Sequence, residues 1–229
     1  DDLTRFNHTA HYTAPGWNDR NSRGNGSYRT DAILTVWSRW KSDQSQAFSY
    51  GMAGWVKNAQ IKGKIFNVRP FITYTPTDNI SIDAEVMYRK TDNWQIWQED
   101  NRINTFNSDQ MNIEVKSTWI IDNAQEVRVA MQWVGLKAQA QDAYRISNQG
   151  DLYLTGETRA ANFAQADLAL QVRYKYQFAP LSDLYLVYSR GGNTFNESQD
   201  EQQGFNDLIS DSFAGKNADQ LTMKVRYRF

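Results

Sequence analysis

The sequence predicts an all-β fold, a transmembrane antiparallel up-and-down β-barrel with about ten strands. Three observations lead to this prediction. Apolar and polar side chains alternate along most of the chain, so each extended segment has one apolar and one polar face. Short and long connections alternate between the segments, and aromatic residues gather near the segment ends. Membrane barrels combine these three features.

The predicted strands follow one another from the first dozen residues to Phe229. The cleanest alternation covers 166–178 and 219–229, where the second parity is strongly polar or basic. Weaker alternation covers 28–40 and 48–57, and segment 184–190 is strand-like with an ambiguous phase. In chain order, the side chains assigned to the apolar faces are Phe6, His8, Ala10 and Tyr12; Ala32, Leu34, Val36 and Trp40; Phe48, Tyr50, Met52 and Val56; Phe66, Val68, Ile72 and Tyr74; Ile80, Ile82, Ala84, Val86 and Tyr88; Met111, Ile113, Val115, Trp119 and Ile121; Val127, Val129, Met131 and Trp133; Ala166, Leu168, Leu170, Val172, Tyr174, Tyr176 and Phe178; and Leu221, Met223, Val225, Tyr227 and Phe229.

The connections are predicted to differ in length at the two ends of the sheet. The short turns are 41–46, 75–79, 122–123 and 179–183. The long or polar connections are 13–27, 99–109, 142–164 and 193–218, while 58–63 is short where a long one is due. Because outer-membrane barrels have short periplasmic turns and longer extracellular loops, we expect both chain termini on the periplasmic side. A short turn of helix is predicted within the last loop, around Phe205–Phe213.

Composition narrows the class of protein. The 25 basic and 26 acidic residues give a formal charge of −1, which disfavours a nucleic-acid-binding protein. Cysteine is absent, which excludes disulfide frameworks and thiolate metal sites. The mean hydropathy is −0.71, but polar lumen-facing residues dilute the apolar signal of a barrel. No basic and apolar leader opens the chain, so we expect that any signal peptide has been removed.

The last strand carries a predicted assembly signal. Tyr227 and Phe229 close its apolar parity, opposite Arg226 and Arg228. A terminal Phe with an aromatic residue two positions earlier resembles the C-terminal signal of bacterial outer-membrane barrels. This resemblance implies that the barrel-assembly machinery recognises the chain during biogenesis.

Three segments between 65 and 229 resemble a family of outer-membrane barrels. They are Phe71-Ile-Thr-Tyr-Thr-Pro-Thr-Asp-Asn-Ile-Ser-Ile, Tyr174-Lys-Tyr-Gln-Phe-Ala-Pro-Leu-Ser-Asp-Leu-Tyr-Leu-Val-Tyr-Ser-Arg-Gly, and Lys224-Val-Arg-Tyr-Arg-Phe. The family has no assigned function, and its longer members carry an N-terminal domain like carbohydrate-binding module family 9. The resemblance implies an outer-membrane location and a link to glycans, and it identifies no catalytic residue. This chain lacks the N-terminal domain, so residues 1–229 are expected to form a single outer-membrane barrel domain or the C-terminal part of one.

The polar parities supply the candidate functional residues, which are predicted to line the lumen. Both signs of charge occur among them, with basic residues in excess on the last strands. One hypothesis is a water-filled pore whose charged rings select solutes. The other is a narrow barrel filled by opposed charges that form ion pairs. The candidate residues are Arg39, Arg69, Asp83, Glu85, Arg89, Glu114, Lys116, Arg128, Arg173, Lys175, Lys224, Arg226 and Arg228.

Neither a catalytic site nor a metal site is predicted. His8 and His11 are the only histidines, and on one strand they point to opposite faces, so they cannot jointly bind one metal ion. The Asp and His pairs of outer-membrane proteases, and the His–Ser pair of outer-membrane phospholipase, have no evident counterpart. The acidic side chains of the last long loop match no EF-hand spacing and are expected to be solvated: Asp200, Glu201, Asp207 and Asp211.

The expected function is an outer-membrane channel or passive transport scaffold, with sugars or oligosaccharides implied by family analogy alone. The alternative is a structural or interaction barrel with a closed lumen, whose extracellular loops bind a surface partner. A soluble β-sandwich or lipocalin-like binder would explain the alternation, but neither the terminal Phe nor the asymmetry of the loops. The expected partners are outer-membrane lipid and lipopolysaccharide, the assembly machinery and other envelope proteins, with no nucleic acid and no cofactor.

Overall fold

One large antiparallel sheet dominates the fold. The computed structural model describes residues 3–156, 160–198, 204–215 and 217–228. The strands are β1 (Arg5–Thr13), β2 (Gly16–Asn18), β3 (Tyr28–Thr30), β4 (Ile33–Lys41), β5 (Phe48–Asn58), β6 (Lys64–Thr77), β7 (Ile80–Trp97), β8 (Arg102–Ile120), β9 (Gln125–Ile146), β10 (Leu152–Leu154), β11 (Asn162–Ala179), β12 (Ser182–Ser198) and β13 (Ala218–Arg226), and the helix is α1 (Phe205–Ala214). The predicted all-β, antiparallel architecture is confirmed.

Ten of the strands form an up-and-down meander. Their order across the sheet is β1-β4-β5-β6-β7-β8-β9-β11-β12-β13, and β10 adds an eleventh strand that pairs with β9. The short strands β2 and β3 form a separate hairpin. Each neighbouring pair in the meander is antiparallel, as the alternating connections predict.

The sheet is open, which corrects the predicted closed barrel. Among the described residues, β1 pairs only with β4 and β13 pairs only with β12, so each has one free edge. Alternation within a strand determines which side chains share a face, but it carries no information about which edges meet. An open and a closed sheet therefore have the same sequence pattern.

Neighbouring strands are staggered, so the rows of paired residues cross the sheet obliquely. Tyr50 lies beside the short turn before β5, whereas Asp219 lies at the opposite end of β13. A cumulative stagger of this kind is the shear that a sheet requires in order to close. The row that joins these two residues is Tyr50, Ile72, Ala84, Val115, Met131, Leu170, Arg190 and Asp219.

The register divides the sheet into two continuous faces. The apolar face contains the strand residues assigned to it from the alternation, and the register adds Leu184, Leu186 and Tyr188 of β12. The opposite side, which we call the charged face, contains the other parity of every strand in the meander. Large side chains of the apolar face remain uncovered at the edges of the sheet, where Leu221 is 74% and Met223 67% exposed.

Polar residues limit the apolar face at one end, and aromatic residues mark the other. On β8 the apolar stretch covers 111–119, a length of about 26 Å in an extended strand. Directly beyond it, Lys90, Asp109 and Lys137 form one paired row. The aromatic side chains at the short-turn end are Phe48, Tyr74, Trp119, Tyr176, Phe178 and Tyr227, and all of them are exposed.

The connections agree only in part with the predicted lengths. The four short turns are present between β4 and β5, β6 and β7, β8 and β9, and β11 and β12. The predicted long connection 99–109 is wrong, because β7 and β8 continue past a bulge and pair up to Trp97 and Ile103. The predicted strand 28–40 is interrupted, because Tyr28–Thr30 pairs with β2 instead of extending β4.

Helix α1 lies across part of the apolar face. The predicted helical turn around Phe205–Phe213 is confirmed, and Leu208 is fully buried against Trp133 and Leu168. The Trp133 Nε1–H donates to Ser212 Oγ over 3.0 Å. The apolar side of this short amphipathic helix thus covers β9 around Trp133 and β11 around Leu168. None of the described helical residues forms a segment with the length and apolar character needed to cross a bilayer.

A second contact covers the same face near the ends of the longest strands. Tyr28 is buried against Ile103, Ile146 and Leu152. Its hydroxyl donates to Gln95 Oε1, to which Asn21 Nδ2 also donates over 3.0 Å. The connection from β1 to β4 is therefore anchored beyond the apolar stretch.

The β8–β9 turn provides a test of local stability. Asp122 Oδ1 accepts the backbone N–H of Ala124 over 2.7 Å, and Oδ2 accepts the Gln125 side-chain amide over 2.7 Å. These hydrogen bonds, the first above all, lower the pKa of the Asp122 carboxyl. Asp122→Ala should therefore lower the urea midpoint of unfolding at pH 7. A carboxyl whose pKa is lowered on folding stabilises the folded state at pH values above its ordinary pKa of about 4.

The difference between wild type and Asp122→Ala should accordingly shrink as the pH falls below about 4 and the carboxylate is protonated. Asp78→Ala is the control in the β6–β7 turn, because no side-chain hydrogen bond of Asp78 occurs among the described residues. If the difference in urea midpoint between wild type and Asp122→Ala stays constant from pH 7 to about pH 3, this account of the turn is contradicted.

Candidate functional site

The charged face brings together nearly all of the predicted site residues. Twelve of them lie on it: Arg39, Arg69, Asp83, Glu85, Arg89, Glu114, Lys116, Arg128, Arg173, Lys175, Lys224 and Arg226. Arg228 lies beyond the end of β13, where its backbone N–H donates to Ser182 Oγ over 3.2 Å. Tyr227 stacks on Phe178 with ring centroids 6.3 Å apart, and Phe229 lies outside the described residues.

Charges on β6, β7 and β8 form a mixed cluster. Arg69 Nε lies 3.2 Å from Glu85 Oε1, and Lys116 pairs with Glu114 on its own strand. Asp83 accepts the Thr73 hydroxyl over 2.6 Å and lies directly opposite Lys116. The cavity of about 220 Å³ between these side chains is lined by Arg39, Phe71, Ile72, Thr73, Asp83, Ala84, Glu85, Glu114 and Lys116. This part of the face is close to neutral because opposite charges are adjacent.

A glycine allows Arg39 to reach the same cavity. The guanidinium of Arg39 lies over the Phe71 ring at 5.2 Å, although β5 separates their strands. The intervening residue is Gly51, where a Cβ atom would lie only 2.5 Å from the Phe71 ring. The missing side chain therefore leaves room for a cation–π contact across the strand.

The last three strands carry a basic cluster around one buried carboxylate. Asp183 has a side-chain exposure of 2%, pairs with Arg226, and lies 3.7 Å from Lys175 Nζ. Arg173 and Lys224 have no carboxylate within ion-pair distance among the described residues. A second cavity, of about 330 Å³, is lined by Gln171, Arg173, Tyr185, Val187, Thr222, Lys224 and Arg226.

The remaining candidates are locally paired. Arg128 is held by Glu126 through both Nε and Nη2, the latter at 3.1 Å. Arg89 donates to Gln110 Oε1 on the neighbouring strand. These contacts order the side chains along the strands, and they leave the basic cluster as the main excess of positive charge.

A depression of about 490 Å³ connects the mixed and basic parts of the charged face. Its floor contains Ala130, Ala169, Gly191 and Ala218, whose small side chains leave the backbone uncovered. Its polar walls on this face are Glu114, Lys116, Gln132, Gln171, Ser189 and Gln220. These amides and small residues were not among the predicted site residues, because all of the predicted residues carry a charge.

Asp183 was also missed, because it was assigned to a turn. Its parity matches that of Tyr185 and Val187, but the phase of this segment was ambiguous in the sequence. The paired positions Asp183–Arg226 and Tyr185–Lys224 supply the phase. The signal that could have identified Asp183 is the row of basic residues on β13, because a carboxylate on the neighbouring strand is expected to face them.

The histidines lie apart on β1. His8 is on the apolar face, where its Nδ1 is 2.8 Å from Ser38 Oγ, while His11 is on the charged face near Thr13. Among the residues that the structure describes, no three His, Cys, Asp or Glu side chains converge as metal ligands.

Comparison with known proteins gives a family. Residues 4–229 match the family described as a domain of unknown function, DUF5916. The chain belongs to this family. Searches of curated proteins and of solved structures found no match. For this DUF5916 chain, an outer-membrane location and a relation to carbohydrate-binding proteins stay predictions.

The buried carboxylate is expected to matter more than an exposed one on the same face. Asp183→Asn removes the charge that holds Arg226 and Lys175, and it should lower the free energy of unfolding by about 1–2 kcal/mol, since both cations are partly solvated. Asp167→Asn is the matched control, because Asp167 is exposed on β11 and, among the described residues, accepts a hydrogen bond from Gln165 alone. The control should change stability by less than about 0.5 kcal/mol in the same chemical unfolding titration. Equal effects of the two substitutions would contradict a structural role for Asp183.

Proposed function

We propose that the described sheet is the wall of a β-barrel in the outer membrane, and that its charged face lines a path for small hydrophilic solutes. The observation that carries the proposal is the continuous apolar face, which extends over ten strands opposite a continuous charged face. In water, exposed apolar side chains such as Leu221 and Met223 would be unfavourable in such number. In a bilayer the same face would be solvated by acyl chains.

The dimensions of the sheet support a bilayer. A tilted strand crosses the hydrocarbon core with about 9 to 11 residues, and the apolar stretch 111–119 of β8 has this length. The row of Lys90, Asp109 and Lys137 would then lie at one interface, and the exposed aromatic side chains at the other. Helix α1 would replace lipid over part of this stretch, because its apolar side packs on Trp133 and Leu168, which lie in one paired row with Ile113.

Closure completes the proposed barrel. Unpaired backbone N–H and C=O groups cost several kcal/mol each in hydrocarbon, so the free edges of β1 and β13 require strand partners there. Ten strands in an up-and-down order make these two edges antiparallel, and the stagger from Tyr50 to Asp219 has the form that closure requires. Pairing between the edges, or with additional strands, would meet this requirement.

A structural or interaction barrel is the second candidate function. The ion pairs Arg69–Glu85, Lys116–Glu114 and Arg128–Glu126 favour it, because paired charges can fill a narrow lumen and leave no path. The depression floored by Ala130, Ala169 and Gly191 favours the channel, because small residues leave space beside those pairs.

Membrane extraction followed by conductance tests the proposal. The native protein should leave the membrane fraction only with detergent, and its gel mobility should change on heating, as expected of a barrel. Purified protein in planar bilayers should then give stepwise currents. Release without detergent would overturn the membrane assignment. Silent bilayers with correctly folded protein would overturn the channel and favour the interaction barrel.

Lipid exposure can be tested on a single strand. Met223→Arg places a charge on the apolar face of β13, and it should lower the free energy of unfolding in lipid vesicles by about 2–4 kcal/mol if Met223 lies near the bilayer centre. Gln220→Arg is the control, because Gln220 lies on the charged face of the same strand. Near-equal small effects for both variants would mean that both faces contact water, and the membrane assignment would fail.

A further inference from the structure

The cavity of about 330 Å³ on β11, β12 and β13 has the composition of an anion site. Three of its seven lining residues are cations, namely Arg173, Lys224 and Arg226, and none is a carboxylate. The lining also includes the Tyr185 and Thr222 hydroxyl-bearing side chains and an amide, Gln171. Every polar side chain around the cavity can therefore donate a hydrogen bond.

The register explains why the cations converge. Lys224 and Lys175 flank Tyr185 in one paired row, and Arg173 and Thr222 flank Val187 in the next row. Strands two apart are separated by about 10 Å, so the long side chains from β11 and β13 can meet above β12. Tyr185 and Val187 form the floor between them.

The positive charge of the cavity is only partly neutralised. Asp183 pairs with Arg226 and lies near Lys175, but its side chain is 2% exposed and lies outside the cavity lining. Among the described residues no carboxylate lies within 4.0 Å of Arg173 or Lys224. The cations that line the cavity repel one another, and a bound anion would reduce this repulsion.

We propose that this cavity binds the carboxylate or phosphate group of a small soluble anion, such as an acidic sugar. The proposal rests on the charged face being open to solutes, as the proposed function states. Arg173 offers a planar fork of donors that suits both groups, and Lys224 adds a point charge beside it. The volume of the cavity lies in the lower range of small-molecule sites, which fits one sugar unit better than a polymer.

The mixed cluster on β6, β7 and β8 has a different preference. Its cavity contains Asp83, Glu85 and Glu114 together with Arg39 and Lys116, so an anion would meet carboxylates there. An acidic solute is therefore expected to prefer the basic cavity, and a neutral sugar has no charge-based reason to distinguish the two.

Binding to the purified full-length chain in detergent tests the proposal without relying on conductance. The probes are glucuronate and glucose, which differ in the carboxylate, with isothermal titration as the readout. Glucuronate should bind the native protein at least tenfold more tightly than glucose. Arg173→Gln combined with Lys224→Gln should weaken glucuronate binding at least tenfold. Arg173→Lys combined with Lys224→Arg keeps both charges and should retain most of the binding.

Lys57→Gln combined with Lys64→Gln is the matched control, because it removes two positive charges from β5 and β6, away from the cavity. Glucuronate binding should survive this change. Equal binding of glucose and glucuronate, or equal losses in the two charge-removing variants, would overturn the site. Preferential capture of anionic lipid vesicles over glucuronate through Arg173 and Lys224 would also overturn it, because the ligand would then be a headgroup.

The two proposals fail separately in these experiments. Silent bilayers with intact glucuronate binding would remove the channel and leave the anion site. Stepwise currents without glucuronate binding would leave the channel and remove the anion site.

Discussion

The pairing register of the ten-stranded meander is the constraint on which the rest of the structure depends. Side chains alternate between faces with a period of two, so a slip of one residue in any strand would move its apolar side chains to the charged face. The pairs Val86–Ile113 and Val172–Val129 lie on one face, and Arg173–Arg128 lies on the other. Each strand thus constrains its neighbour, and the two faces remain unmixed from β1 to β13.

The sequence predicted the strands and their faces well because both depend on local alternation. It placed the four short turns and the helical turn of α1 correctly, since these follow from residues close together in the chain. It was wrong about 99–109, because the irregularity between Thr91 and Trp94 interrupts the alternation of β7, and about the continuity of 28–40, because Tyr28–Thr30 pairs with β2. It could not determine edge pairing, which depends on contacts between residues far apart in the chain.

The candidate site was predictable as a face but not as a set of contacts. Parity assigned Arg69 and Glu85 to one side, whereas their ion pair depends on the stagger of β6 against β7. Asp183 could be found only from its partners Lys175 and Arg226 on two other strands. The position of α1 on Trp133 was equally hidden, because an amphipathic helix of ten residues can pack on many apolar surfaces.

The distribution of charge also bears on why the two cavities differ. On β6, β7 and β8 acidic and basic residues alternate between neighbouring positions, so short contacts along and across strands neutralise them. On β11 and β13 four of the five charged residues in the polar parity are basic, and Asp183, the one buried carboxylate among the described residues, is shared between Lys175 and Arg226. One carboxylate cannot neutralise the four cations of these two strands, so Arg173 and Lys224 keep their charge available to a ligand or to counterions. A face that is neutral at one side and basic at the other produces a field directed along the sheet, and a small anion crossing the face would be drawn toward β12.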